Sequence, residues 1–381
     1  MTLPPGSFWD LSGSNGVWLG ICRNFVWTFH GIFTEFAVII FMEWMDRFMN
    51  TNLMGKATPW LRQLGMGSKK LSETAAAAAR YCAEGAENAF RDALAKAKAA
   101  AAETGSQAGA AVSGKKNYAL ITGASSGIGM EFARRLSLEG YPLILIARRR
   151  DRLEALRAEL GTECLLLPAD LARREDLIRL CEDLVGRRID IFINNAGFGV
   201  SGPFLGTDLM REVNMVDVNV VAQHVLFKYV LHRMEAEGGG AILNVASSAG
   251  LFPGGPFMSG YYATKAYMTS LTRGVAEELR QSGSPVYVGC LCPGPVNTEF
   301  NAVADVVFAL PGISVEECVD SALRMMKKRK TVIIPEKELR AAVIGQRFLP
   351  DALTVRITAA QQKKKMQEPE HKTVKETACP S

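Results

Sequence analysis

From Asn117 onward the chain alternates short unbroken apolar runs with longer stretches whose apolar residues recur at helical spacing. The runs at 118–122, 142–147, 164–168, 190–194, 241–247, 286–292 and 331–334 each predict a strand. Continuous apolar runs belong to strands buried on both faces, as in a parallel sheet. Helical patterns fall at 128–139, 151–160, 173–185, 209–237, 260–281 and 314–328. Repeated strand–helix units imply an α/β, doubly wound parallel sheet of about seven strands, whose ligands sit beyond the carboxyl ends of the strands.

The flanks read differently. Residues 1–68 are rich in Trp, Phe, Ile and Met, but Arg23, Glu35, Glu43, Asp46 and Arg47 interrupt the apolar stretch. No uncharged window of about 18 residues is left to span a membrane. The segment is expected to be helical and to pack on protein, with peripheral membrane contact as the alternative. Residues 69–113 are expected to form an alanine-rich helix and a Gly/Ser linker, and 114–350 the dinucleotide-binding catalytic domain. Residues 351–381 are expected to hold a short helix, then a polar, Lys-rich, disordered tail from Gln361.

At 381 residues and 48% apolar content the chain can bury a sizeable core, and its net charge of +5 is spread rather than blocked. That distribution argues against a nucleic-acid partner. Eight scattered cysteines, no CxxC pair and four histidines give no metal site. Reduced thiols, without a secretory signal pattern, imply a cytoplasmic location, membrane association through the N-terminal segment being the variant of it.

The chemistry starts at Thr122-Gly-Ala-Ser-Ser-Gly-Ile-Gly129, between the first strand and the first helix. Gly123 permits a tight turn, while Gly127 and Gly129 let backbone approach a pyrophosphate at the helix N-terminus. The second strand runs into Arg148 and Arg149, where an acid would suit a ribose 2′-hydroxyl. A guanidinium pairs instead with a 2′-phosphate, and Ser125 can add a hydroxyl. The preferred cofactor is therefore NADP(H), with NAD(H) retained. Asp170, ending the third strand, can accept from an adenine amino group, and Asn194-Asn195-Ala196-Gly197 ends the fourth.

Tyr261-x-x-x-Lys265 places both side chains on one helix face. An ammonium beside a phenol favours the phenolate and makes acid–base work feasible near neutral pH. Ser248, thirteen residues upstream, can hold a substrate oxygen. Tyr262 is a second aromatic without a lysine four residues on.

Together these motifs resemble the short-chain dehydrogenase/reductase family over residues 117 to about 340, through Thr122–Gly129, Asn194–Gly197, Asn219, Ser248, Tyr261, Lys265 and Pro293-Gly294. The core is most similar to hydroxysteroid dehydrogenases and long-chain 3-oxoacyl reductases. The resemblance implies a Rossmann-type domain and an NAD(P)(H)-dependent oxidoreductase interconverting a hydrophobic ketone and its secondary alcohol, often as a homo-oligomer. A hydroxysteroid dehydrogenase is the first reading; a 3-oxoacyl thioester reductase and a non-catalytic NADP(H) sensor are the alternatives. Tyr261 would move the proton, Lys265 would tune it and bond the nicotinamide ribose, Ser248 would orient the substrate oxygen, and Asn219 would hold a relay water. Thr298 would fix the nicotinamide carboxamide. Ser126, Ile128, Leu171, Val296 and the Pro293-Gly294 turn complete the implied cofactor set. The substrate walls would be Phe252, Phe257 and Met258 on one side and the loop 299–313, with Phe300, Val303 and Phe308, on the other.

Overall fold

The computed structural model describes residues 117–299 and 312–367. The expectations for 1–68 and 69–113, for Phe300, Val303 and Phe308, and for the tail after 367 lie outside these residues.

The strands β1 (Tyr118–Thr122), β2 (Leu143–Ala147), β3 (Cys164–Pro168), β4 (Ile189–Asn194), β5 (Ala241–Val245), β6 (Tyr287–Leu291) and β7 (Val332–Ile333) form one sheet in the order β3-β2-β1-β4-β5-β6-β7. Every pairing is parallel. Side chains alternate between the two faces of a strand. Leu120, Ile144, Ile146 and Phe192 therefore enter one buried cluster, and Ala119, Ile121, Leu143 and Leu145 the other.

Helices α1 (Gly127–Leu138), α2 (Arg150–Glu159), α3 (Arg174–Asp183), α4 (Leu209–Val216), α5 (Gln223–Ala236), α6 (Ser259–Ser282) and α7 (Val315–Lys327) follow the predicted order. The stretch read as one helix over 209–237 is continuous, but α4 and α5 meet through a π turn at Asp217–Ala222. β1 and β4 are neighbours in the sheet, and the chain runs outward from them in opposite directions. That reversal opens a crevice at their carboxyl ends.

The chain after β7 departs from the sequence expectation. α8 (Lys337–Gly345) was not foreseen, and α9 runs over Asp351–Gln367 where a short helix and a disordered tail from Gln361 were expected. The buried side of α9 is polar: Thr354, Thr358 and Gln362, four residues apart, are only 4%, 4% and 3% exposed. Thr358 Oγ1 donates to the Gly254 carbonyl at 2.9 Å, and Gln362 Nε2 to the Tyr262 hydroxyl at 2.8 Å. A helix seated by threonine and glutamine leaves no apolar stripe to read.

Candidate active site

The crevice between β1 and β4 is built by hydrogen bonds that hold two strand ends together. Thr122 Oγ1 accepts from the Asn195 N–H at 2.9 Å and from the Ala196 N–H at 3.0 Å. Asn195 Nδ2 donates back to the Thr122 carbonyl at 2.9 Å. Gly123 turns with φ +68°, and α1 starts so close that a Cβ on Gly129 would stand 2.4 Å from the Gly123 oxygen. The Ser126 side chain makes no capping bond to the first turn of α1. Free N–H groups at a helix start beside a glycine turn form a cradle for a pyrophosphate.

A single cleft runs from this cradle in both directions. Gly123, Ser125, Ser126, Gly127 and Ile128 line its middle, with Arg148, Arg149, Asp170 and Leu171 at one end. Asn195, Ala196 and Gly197 form its floor, and Pro293, Gly294, Val296 and Thr298 lie across from it. Gly129 packs behind, without lining the cleft. One Asp170 oxygen accepts from the Ala172 N–H at 3.1 Å. The residues present fit an elongated nicotinamide dinucleotide.

The arginine end is electrostatically busy. Arg149 donates to Ser125 Oγ at 3.1 Å and to Glu299 at 3.2 Å, and Arg152 also bonds Glu299. Arg152 and then Arg149 hold the Glu299 carboxyl below its usual range. Glu299 entered the sequence reading only as the start of the substrate loop and Arg152 not at all, because the partners are about 150 residues apart in the chain.

At the opposite end α6 presents Tyr261 and Lys265 one turn apart, both buried. Lys265 Nζ donates to the Val245 carbonyl at 2.9 Å and lies 5.9 Å from the Tyr261 ring centre. The expected lowering of the Tyr261 phenol is not what this arrangement yields. Burial raises it, a bond with Ser247 opposes the rise only in part, and burial lowers Lys265 to about 8. Withdrawing these groups from water disfavours the charged form of each, and that is the largest effect on both.

The hydroxyl bonded to Tyr261 belongs to Ser247, not to Ser248. Ser247 is still extended, at φ −171° and ψ 160°, and caps the short 3-10 turn at Ser248–Leu251 through the Ala249 N–H. Ser248 already belongs to that turn, although it too lines the cleft. Counting back from Tyr261 crosses a loop whose length is free. Counting forward from Asn244 on β5 would have followed a fixed register to Ser247.

Other expected positions also move. Phe252 packs into a cluster with Ile334 and Val343, away from the cleft. Phe257 has φ +66°, and Lys363 lies over its ring at 5.7 Å. Met258 does line the cleft, joined by Phe198, Tyr262 and Gln362, which the sequence reading left out of the site. Asn219 is buried in the π turn, and its Nδ2 bonds the Phe198 carbonyl at 2.8 Å and Thr264 Oγ1 at 3.1 Å. Both amide hydrogens are thus engaged, and Asn219 Oδ1 accepts from the Phe198 N–H at 3.0 Å. Glu336, also missed, accepts from the Gly294 N–H at 2.9 Å and so braces the Pro293-Gly294 turn. Cys290 and Cys292 are buried free thiols with sulfurs 3.8 Å apart, and no group of three metal-ligating side chains occurs among the described residues.

A family profile described as short chain dehydrogenase matches residues 117–305. The very-long-chain 3-oxoacyl-CoA reductase of Anas platyrhynchos is 30% identical over 203 residues, 51% of this chain and 64% of that protein. The chain thus spans just under two thirds of that relative. Ketoacyl reductase HetN of Nostoc is 31% identical over 244 residues, 62% of this chain and 80% of that protein. A short-chain dehydrogenase from Sphingobium yanoikuyae, solved in complex with NADPH, superposes with a TM-score of 0.56 at 38% identity, covering 61% of this chain and 94% of that one. The bulky-bulky ketone specific alcohol dehydrogenase of Comamonas testosteroni gives 0.51 at 33% identity, over 62% of this chain and all of the other.

Two expectations follow from this geometry. Ser247→Ala is expected to lower kcat on the order of a hundredfold, the loss typical of one hydrogen-bond donor aimed at a reacting oxygen, and Ser248→Ala less than about fivefold. Steady-state kinetics of the two variants side by side decide between the serines; the reverse order would return the role to Ser248. Lys265→Met is expected to raise the stability of the cofactor-free protein at pH 7, by the cost of burying a cation whose pKa falls from 10.5 to about 8 less the cost of the bond lost at the Val245 carbonyl. Between those two pH values the unfolded chain binds the extra proton, so wild-type stability should rise with pH and close the gap to the variant. Urea unfolding at pH 7, 8.5 and 10 measures both effects.

Proposed function

Because this chain belongs to the short-chain dehydrogenase family, we propose that it interconverts a bulky hydrophobic ketone and its secondary alcohol with NADP(H) as the preferred cofactor. It is an oxidoreductase of the alcohol/ketone class that uses a nicotinamide cofactor. The observation that carries the finer reading is the buried Tyr261–Ser247 hydroxyl pair beside Lys265, at one end of a cleft with a phosphate cradle in its middle.

The bound cofactor supplies or accepts the hydride, and this chain's residues do the rest. Ser247 orients the substrate oxygen toward the Tyr261 hydroxyl. The buried phenol keeps its proton at neutral pH and can give it to a carbonyl oxygen. Lys265, still mostly protonated at pH 7, places a positive charge near the oxygen that becomes charged. Asn219 ties α6 to the floor through Thr264 and Phe198 and acts as a positioning residue.

Support for NADP(H) comes from Arg149, Arg152 and Ser125, grouped at the adenosine end around a single carboxylate. The NADPH-bound state of the similar Sphingobium protein agrees with it. For the substrate, Phe198, Met258 and Tyr262 make a largely apolar wall, and the Comamonas relative is described as acting on bulky-bulky ketones. A hydroxysteroid is our first substrate. A long-chain 3-oxoacyl thioester is the second, favoured by the reductases of Anas and Nostoc. Among the described residues no helix is long and apolar enough to cross a membrane.

Oxidation of NADPH and NADH by the full-length protein, against ring-A and ring-D steroid ketones and a long-chain 3-oxoacyl thioester, tests the reading. Tyr261→Phe should lose at least about a hundredfold in kcat while still binding NADPH; undiminished turnover would remove Tyr261 from the reaction. Glu299→Gln should tighten NADPH on the order of fivefold and leave NADH nearly unaffected, because Glu299 competes with the 2′-phosphate for the same guanidinium. Titration of both cofactors with both proteins reads this, and equal changes for the two would contradict the 2′-phosphate assignment.

A further inference from the structure

Gln362 reaches the cleft from α9, the element that sequence patterning did not foresee. It is 3% exposed, and its one hydrogen bond within the described residues runs from Nε2 to the Tyr262 hydroxyl at 2.8 Å. A carboxamide has two N–H donors and an acceptor oxygen, and a phenol that accepts a bond still has its own proton to give. The Gln362 oxygen and the Tyr262 proton are therefore unspent, in a wall that Phe198 and Met258 otherwise make apolar.

The pair is also held in place. The Tyr262 ring lies so close to Gly255 that a Cβ there would stand 2.3 Å from it. Thr358, one turn before Gln362, bonds the Gly254 carbonyl of the same loop at 2.9 Å. Neighbouring residues of a helix point about 100° apart. The Tyr261 and Tyr262 side chains therefore leave the helix in different directions and meet different partners, Ser247 and Gln362.

We propose that Tyr262 and Gln362 form a second polar subsite, which reads a hydroxyl on the substrate at the end remote from the reacting carbonyl. The Tyr262 O–H donates to that oxygen, and the Gln362 carbonyl accepts its proton. A ketone lacking the hydroxyl leaves both groups buried without partners, the situation in which a polar site discriminates most strongly. This subsite rests on the reading of the cleft as a ketone reductase, and it narrows the substrate to bulky ketones oxygenated at both ends.

The test uses matched steroid ketones with NADPH: a carbonyl on ring A with or without a hydroxyl on ring D, and the reverse pair. Wild type, Gln362→Leu and Tyr262→Phe are compared by the ratio of kcat/KM for the hydroxylated and unhydroxylated members. In at least one pair the wild-type ratio should be about 50 or more and should fall at least about tenfold in each variant, mainly through KM. NADPH affinity, read by fluorescence, checks that each variant keeps the cleft. Tyr262→Phe removes one oxygen and carries the test where Gln362→Leu fails to fold. A wild-type ratio near one in both pairs, or a ratio that survives both substitutions, overturns the subsite while turnover of the plain ketone leaves the reductase reading standing. Absence of turnover of every steroid ketone by protein that binds NADPH and reduces the 3-oxoacyl thioester overturns the subsite and leaves the reductase reading standing; absence of turnover of both substrate classes overturns both.

Discussion

The contact on which the rest of the site depends is the lock between the ends of β1 and β4. One threonine hydroxyl, on Thr122, takes two backbone hydrogens from the neighbouring strand, and the Asn195 amide returns a bond to the Thr122 carbonyl. Gly129 brings α1 against the same point at a distance no side chain would tolerate. The chain runs outward from these two strands in opposite directions while their ends stay fixed, and the crevice that results faces the N-terminus of α1. Every candidate cofactor contact is placed relative to that lock.

The catalytic end obeys a different constraint. Tyr261 and Lys265 are withdrawn from water by the packing of α6 on β6 and on the short turn at Ser248–Leu251. Burial keeps the phenol protonated and makes the ammonium costly. Burial thus disfavours the charged form of both groups. Active sites commonly carry such a conflict, because groups arranged for a developing charge are poorly matched to the resting state.

The far wall of the cleft is supplied late in the chain. α8 braces the Pro293-Gly294 turn through Glu336, and α9 brings Gln362 against Tyr262. The sheet, turn and α6 carry the chemistry shared by the family, whereas the C-terminal helices shape the space in which a substrate lies. That division follows from topology: the parallel core is complete at β7, so what comes after it can pack only on the outside of the crevice.

The alternation of apolar runs and helical patterns was sufficient to place seven strands in the right order along the chain, because burial on both faces leaves an unbroken apolar signature. The glycine turn and the Tyr261–Lys265 spacing were legible for a similar reason: backbone room and helix periodicity are local properties. Ser247 could have been read from Asn244, since register along a strand is fixed, but it was hidden by counting across a loop. Other features were decided only by the tertiary structure. Glu299 beside Arg149, Glu336 beneath Gly294 and Gln362 on Tyr262 join residues between 42 and 150 positions apart. Phe252 and Phe257 turned away from the cleft because buried packing and a left-handed turn claimed them. The direction of the Tyr261 and Lys265 shifts belongs here too: spacing in the chain shows that two groups share a helix face, while the water excluded around them depends on every element that packs there.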